Sequence, residues 1–400
     1  MRVLIAPDSF KGSLSALAAA QSMARGVCSV FTDAVCDLAP IADGGEGTVD
    51  ALTVATTGEI RTITVRGPLG KPVEVRWGIL GNSRAAVVEM AAASGLPLLK
   101  LEERNPLLAD TYGTGEVIRA ALATLHDPAF PGRGTNGGHD KPTLIIGIGG
   151  SATNDAGSGA LRALGLRFLD IAGKELEPGG AALARLARID CAGINPLLAK
   201  TRIRVACDVD SPLTGERGAS AVFGPQKGAT PDMVRELDHA LDRFAEVARE
   251  STGKDLATTP GAGAAGGLGA GLLFFAGAKL EPGINIVLEA TDMAAKAAKA
   301  DFVFTGEGRS DIQTAYGKAP VGVAKIAKRY GKPVICISGS LEPGAEAVYE
   351  QGIDALAATV CSIESLEYCM QHAEMLLENT TARVCRTLRV GMQLARVSSE

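Results

Sequence analysis

Four stretches of this chain end an apolar run in small, hydroxyl-bearing and acidic residues, a combination suited to holding phosphate and metal. Leu144-Ile145-Ile146 runs into Gly147-Ile148-Gly149-Gly150-Ser151-Ala152-Thr153-Asn154-Asp155, and Val3-Leu4-Ile5-Ala6 into Pro7-Asp8-Ser9-Phe10-Lys11. Leu38-Ala39-Pro40-Ile41 runs into Ala42-Asp43-Gly44-Gly45-Glu46-Gly47, and Phe302-Val303-Phe304 into Thr305-Gly306-Glu307-Gly308-Arg309-Ser310-Asp311. Phosphoryl transfer requires amides and cations that cradle phosphates, carboxylates that hold Mg²⁺, and an acid that orients or accepts the proton of the attacking hydroxyl. Gly149, Gly150, Ser151 and Thr153 are the expected cradle, since glycine admits close backbone approach and a helix starting there would aim its N–H groups at an anion. Lys227, in Phe223-Gly224-Pro225-Gln226-Lys227-Gly228, is a candidate phosphate cation, and Glu307 a further nucleotide-side residue. Asp155 and Asp208 are the candidate metal carboxylates, Asp155 also a candidate base. Asp8, Lys11, Asp43 and Arg309 are the remaining candidates for binding an anion or moving a proton. Blander roles exist for each: Asp8 or Ser9 as a helix cap, Asp43-Gly44-Gly45 as a turn, Lys227 as a solvated charge. Caps need one polar residue each, whereas these strand ends supply both charge signs side by side.

Those residues must be positioned by strands. Segments 2–6 and 36–41, joined by a helix over Ser15–Gly26, read as one βαβ unit, and the same style resumes at 301–305, 333–338 and 354–360 with a helix over Val321–Tyr330. Five strands alternating with helices predict a doubly wound parallel sheet of flavodoxin type, order 2-1-3-4-5, built from both chain ends. Ligands of such sheets bind where strand order reverses, here between the first and third strands. Ile60–Arg66 and Val73–Trp77 flank Gly67-Pro68-Leu69-Gly70, a hairpin signature. The expected organisation is a discontinuous domain, 1–59 plus 291–400, an inserted mixed α/β domain over 60–290, and an active site in the cleft between them. Residues 127–140, rich in turn formers, read as a surface insertion.

No GxxxxGK[ST] sequence occurs, so a P-loop is excluded. The rival is a dinucleotide-dependent oxidoreductase of NAD type, since Gly147-x-Gly149-x-x-Ala152 follows a strand and Asp170 lies about eighteen residues on. Against it, Thr153-Asn154-Asp155 crowds polar groups into the expected helix start. A second match, Gly261-x-Gly263-x-x-Gly266, has no preceding strand. A small-acid-binding regulator without turnover is a further alternative, though it would need neither cradle nor metal acids.

The 400 residues favour two domains. Forty Lys and Arg against forty-five Asp and Glu, without basic runs, argue against a nucleic-acid partner. The start lacks a secretory n-region and h-region, so a cytoplasmic location is expected. Eight cysteines without a C-x-x-C pair argue against a disulfide framework or zinc site. Gly261–Ala278 is uncharged but rich in Gly and Ala, which argues against a membrane span and for close helix packing or a glycine-rich ligand loop. Oligomeric state is open, a homo-oligomer included.

The motifs APDSFKGSLSA, PIADGGEGTVDAL, GPLGKPVEVRWGI, VEMAAASGL, GTGEVIRAAL, IIGIGGSATNDAGSGAL, RVACDVDSPLTGERGAS, FGPQKGAT, GAGAAGGLGAGL and FTGEGRSDIQTAYGKAPVGVA run in order to about Ser340. Through them the chain resembles the type I glycerate kinases. The resemblance implies the two-domain plan and phosphorylation of D-glycerate by ATP with Mg²⁺, usually at the 2-hydroxyl, giving 2-phosphoglycerate for lower glycolysis. It leaves open which of the strand-end acids and cations touches which partner.

Overall fold

Both ends of the chain contribute to one five-stranded sheet, in the order Ala355–Ala358, Val334–Leu341, Phe302–Ser310, Arg2–Pro7, Val35–Leu38, with every pairing parallel. Numbered within the sheet, this is the flavodoxin order 2-1-3-4-5. The computed structural model describes residues 1–42, 44–45, 47–81, 84–130, 141–316, 318–360 and 362–397. It divides into two units: Met1–Asp43 with Asp50–Thr56 and Val287–Glu400, and Gly44–Val49 with Thr57–Ile286.

In the first unit Val3, Leu4, Ile5, Val303, Phe304 and Ile337 have no exposed surface. Near-continuous apolar runs of this kind belong to parallel strands covered on both faces. The strand expected to stop at 305 continues to Ser310, because its neighbour pairs with it through Arg309↔Ser340 and Ser310↔Leu341. Glu307, Gly308 and Arg309 are therefore strand residues rather than a turn. The second strand is shorter than expected, ending at Leu38, although the amides of Ala39 and Ile41 still donate to the carbonyls of Ile5 and Pro7 at 2.8 Å.

In the second unit a six-stranded sheet runs Lys279–Glu281, Arg202–Ala206, Thr143–Gly147, Ala85–Glu89, Pro72–Ile79, Glu59–Arg66. The first four strands are mutually parallel and the last two form the hairpin read in the sequence, with Val65 opposite Val73. Strand order here follows chain order without reversal, so this sheet has no switch point. Val88, Ile146, Val205, Trp77, Ile118 and Leu122 form its core against the helix Tyr112–Leu125. Of the expected insertion, residues 131–140 lie outside the described residues, whereas Phe130 is buried in this core. Among the described residues, no helix is long and apolar enough to cross a membrane.

Candidate active site

At the switch point of the first sheet, the Asp8 amide donates to the Gly306 carbonyl (2.8 Å) and the Asp8 carboxylate accepts from the Ser9 amide (2.6 Å). The following helix, Ala16–Cys28, is capped by Ser15, whose hydroxyl accepts from the Ala18 amide. Neither Asp8 nor Ser9 is the N-cap, so the bland explanation for them does not hold. Phe10 anchors the turn in the core and leaves Lys11 exposed beside it. A Cβ on Gly308 would lie 3.1 Å from the Lys11 amide nitrogen and 3.2 Å from the Phe10 Cα. The glycine thus lets the first turn lie against the third strand, which brings Asp8, Lys11, Glu307 and Arg309 into one neighbourhood.

The strand end also gathers residues that the sequence reading did not select. Glu307, 7% exposed, accepts from the hydroxyls of Ser310 (2.8 Å) and Thr314 (2.7 Å) and faces the Lys318 ammonium at 3.7 Å. Lys318 also reaches Asp311 at 3.2 Å; desolvation pushes the Asp311 carboxyl up, but the Lys318 hydrogen bond and charge, with the Thr314 and Gln313 amides, together draw it below its ordinary range. Arg309 faces Asp311 at 3.8 Å and remains largely in solvent. Glu307 is therefore a buried organiser of Ser310, Thr314 and Lys318 rather than an open ligand. Lys318 could have been noticed from Ala319-Pro320, a helix-start signal directly after a lysine. Asp43 lies outside the described residues, as does Glu46.

In the second unit the parallel strands end at Glu89, Gly147 and Ala206. The Glu89 carboxylate accepts from the amides of Val49 (2.6 Å) and Gly47 (3.4 Å), which fastens the Gly44–Val49 segment to the sheet. A Cβ on Gly147 would fall 2.5 Å from the Gly44 carbonyl oxygen, and one on Gly44 2.2 Å from the Ala206 Cβ. Two of the four motifs therefore interlock through glycines. Glu89 was missed although it obeys the same rule of an acid at a strand end.

Gly149 and Gly150 are exposed, and the turn is tied by the Leu96 amide donating to the Gly150 carbonyl and the Ala152 amide to the Ser94 carbonyl. The amides of Gly149, Gly150 and Ser151 donate no hydrogen bond among the described residues. Consecutive amides of this kind are donors suited to phosphate oxygens where solvent reaches them, as it does at Gly149 and Gly150.

Further along, the expectation fails. No helix begins at the turn; Ser158–Ala163 starts seven residues after Ser151. Asp155 has no exposed surface, and both carboxylate oxygens are engaged: Oδ2 accepts from the amide and hydroxyl of Thr111 (3.0 and 2.8 Å) and the Gly159 amide (3.0 Å), Oδ1 from the Gly157 amide (3.1 Å). It is the anion at the starts of two helices, where the dipoles favour it, and this corrects its assignment as metal ligand and base. Thr153 also leaves the cradle, because it is fully buried and its backbone lies against Gly266, where a Cβ would sit 2.0 Å from the Thr153 oxygen. Lys227, 1% exposed, donates to that same Thr153 carbonyl at 2.7 Å. Burial pushes its ammonium down to about 7, opposed by Asp155. It cannot meet a phosphate in solution from there.

Asp208 is exposed at the edge of an open cavity of about 610 Å³, alongside Asp210, Ser211, Phe223 and Pro282, and its Oδ1 accepts from the Gly283 amide at 3.0 Å. Among the described residues, no three acid, His or Cys groups lie close enough to enclose a metal. The exposed Asp208 carboxylate is a hard oxygen donor of the kind Mg²⁺ takes. Asp110, whose neighbour is Asp155, is ion-paired to Arg66, and burial followed by the charge of Asp155 pushes its carboxyl up to about 6. Asp170, the dinucleotide candidate, accepts from the amides of Ala172 and Lys174 in a tight turn.

Comparison with known proteins identifies the family. The model of the glycerate kinase family matches residues 3–389. The chain is 50% identical over 391 residues to the glycerate kinase of Bacillus subtilis, covering 98% of each chain. It is 46% identical over 395 residues to the glycerate 2-kinase of Escherichia coli, covering 99% of this chain and all of the relative. A crystal structure from Salmonella typhimurium LT2, 46% identical, superposes with a TM-score of 0.85 over 98% of this chain and 99% of its own.

Proposed function

Because the chain belongs to the glycerate kinase family, we propose that it transfers the γ-phosphoryl group of ATP to the 2-hydroxyl of D-glycerate, giving 2-phosphoglycerate and ADP. The observation that carries this reading is the end-to-end likeness to named glycerate kinases, one of them a 2-kinase. The charge and backbone arrangement described above supports it.

The amides of Gly149, Gly150 and Ser151 bind the phosphate chain by direct donation. Asp208 would hold Mg²⁺, which would supply charge neutralisation for the phosphates. Lys11 and Arg309 bind the glycerate carboxylate, and Asp8 orients the 2-hydroxyl and accepts its proton, with Asp43 the alternative acid. Glu307 and Lys318 fix the end of the third strand on which Arg309 stands. Positioning and electrostatic stabilisation supply most of what such a transfer needs.

Purified protein given MgATP should release ADP with D-glycerate, and enolase added without a mutase should consume the product directly. Absence of ADP release with D-glycerate would overturn the reading. A requirement for the mutase would move the phosphoryl group to the 3-hydroxyl. Glycerate binding without turnover would favour the non-catalytic regulator.

A further inference from the structure

The segment Thr153–Gly157 is held in an unfavourable shape. The Thr153 hydroxyl and the Asn154 side-chain carbonyl are buried and accept no hydrogen bond among the described residues. Ala156 has φ +54° and Gly157 φ +73°. A side-chain-bearing residue in that region persists only where its surroundings over-determine the backbone. Asp155 restrains the far end of the segment through Gly157 and Gly159. The near end, which leads out of Gly149–Ser151, is restrained at the Thr153 carbonyl, and the side chain that reaches it is Lys227.

Lys227 ends the short turn Pro225–Lys227 in the second unit, followed by Gly228 at φ +90°. Apolar packing alone would be served by Leu or Met, without the desolvation that an amine suffers there. The amine instead donates to one backbone carbonyl at 2.7 Å, and it does so whether protonated or neutral. We propose that Lys227 is a positioning residue, whose buried amine fixes the Thr153 carbonyl so that the Gly149–Ser151 amides keep the spacing that binds the nucleotide phosphates. This inference rests on the assignment of those amides as the phosphate cradle.

The test compares Lys227→Met, which keeps the stem and loses the donor, with Lys227→Gln, which keeps an N–H donor on a shorter arm. Binding of MgADP by calorimetry and the KM for each substrate are measured on protein whose circular dichroism matches wild type. Lys227→Met should weaken MgADP and raise the KM for ATP by about ten-fold, the effect of one lost hydrogen bond. The KM for D-glycerate should stay within about two-fold, and Lys227→Gln should fall between Met and wild type. A role confined to stability would lower the folded fraction while leaving these constants unchanged, and that result overturns the proposal. Failure of both variants to fold assigns Lys227 to stability alone and overturns it equally. Gly150→Val separates the two layers: if it leaves MgADP binding intact, the cradle assignment itself is wrong. If Gly150→Val weakens MgADP and folded Lys227→Met does not, only the role of Lys227 fails.

Discussion

Two runs of similar composition, Gly149–Asp155 and Gly306–Asp311, follow apolar strands in different units and are put to opposite uses. In the first run the polar side chains turn inward: Thr153, Asn154 and Asp155 have no exposed surface, and Gly149 and Gly150 are left outside. In the second run the strand simply continues, Glu307 is enclosed by hydroxyls, and Arg309 projects into solvent. The difference lies in what packs on each run. Gly266, Gly267 and Gly271 let backbone close over Thr153–Ala156 without side-chain volume in the way, so charge there becomes structural. At the switch point a single glycine, Gly308, admits one exposed turn, and charge there stays available. Runs of similar composition thus build a scaffold in one place and leave charge exposed in the other.

The enclosed run should be the more fragile. Gly266→Ala would place a Cβ 2.0 Å from a backbone oxygen at φ +66°, and neither partner has a rotamer with which to escape. Destabilisation above about 4 kcal/mol is expected, read from urea midpoints. Gly215→Ala, at φ +89° with nothing within 4 Å, should cost only about 1 kcal/mol. Equal midpoints for the two would break the enclosed-run account. Asp155→Asn comes next: its amide turns a donor toward groups that already donate, and a loss of about 3–5 kcal/mol is expected, as for a broken buried charge network. A metal ligand would behave in the opposite way, losing turnover with stability intact.

The flavodoxin order, the hairpin and the set Asp8, Lys11, Glu307 and Arg309 were legible in the sequence, because strand periodicity and topology place them with few alternatives. The roles within the second unit were not. Thr153, Asp155 and Lys227 carry chemistry-bearing side chains, but their direction depends on the 261–271 segment, more than a hundred residues beyond the first two. Its glycines could be read as close packing or as a ligand loop, and nothing local identifies what they pack against. Lys318 and Glu89 escaped for a simpler reason. Each is one charged residue beside a helix or strand end, a pattern that solvated residues produce as often.

Burial of Lys227 has a consequence for pH. Its folded pKa is about 7, against 10.5 ordinarily. Between those values the unfolded chain binds a proton that the folded chain does not, so stability rises with pH across this window and is lost as pH falls from 10.5 to about 7. Other groups titrate in the same range, so the useful quantity is the difference between wild type and Lys227→Met. The Tm of wild type relative to the variant should climb from pH 7 to pH 10. A flat difference would mean that the amine is hydrated, and the contrast between enclosed and open charges would lose its clearest member.

The smallest effect on stability is expected at Arg309, and there the comparison is sharpest. Its side chain is 66% exposed and 3.8 Å from Asp311, so Arg309→Gln should shift the unfolding midpoint by less than about 0.5 kcal/mol. Its effect on the reaction should be large. If the guanidinium binds the glycerate carboxylate equally in ground and transition states, the KM for glycerate rises with kcat preserved. If it touches the transferring phosphoryl group, kcat falls instead, because that charge matters most at the transition state. A charge-assisted contact is worth roughly 1.5–3 kcal/mol, so either change should be about ten- to a hundred-fold. Set beside Asp155→Asn, this gives opposite pairs of readings: stability lost at one acid, activity lost at one exposed cation. Unchanged constants for both substrates in Arg309→Gln would make Arg309 an ordinary solvated residue and remove the third strand's end from the catalytic surface.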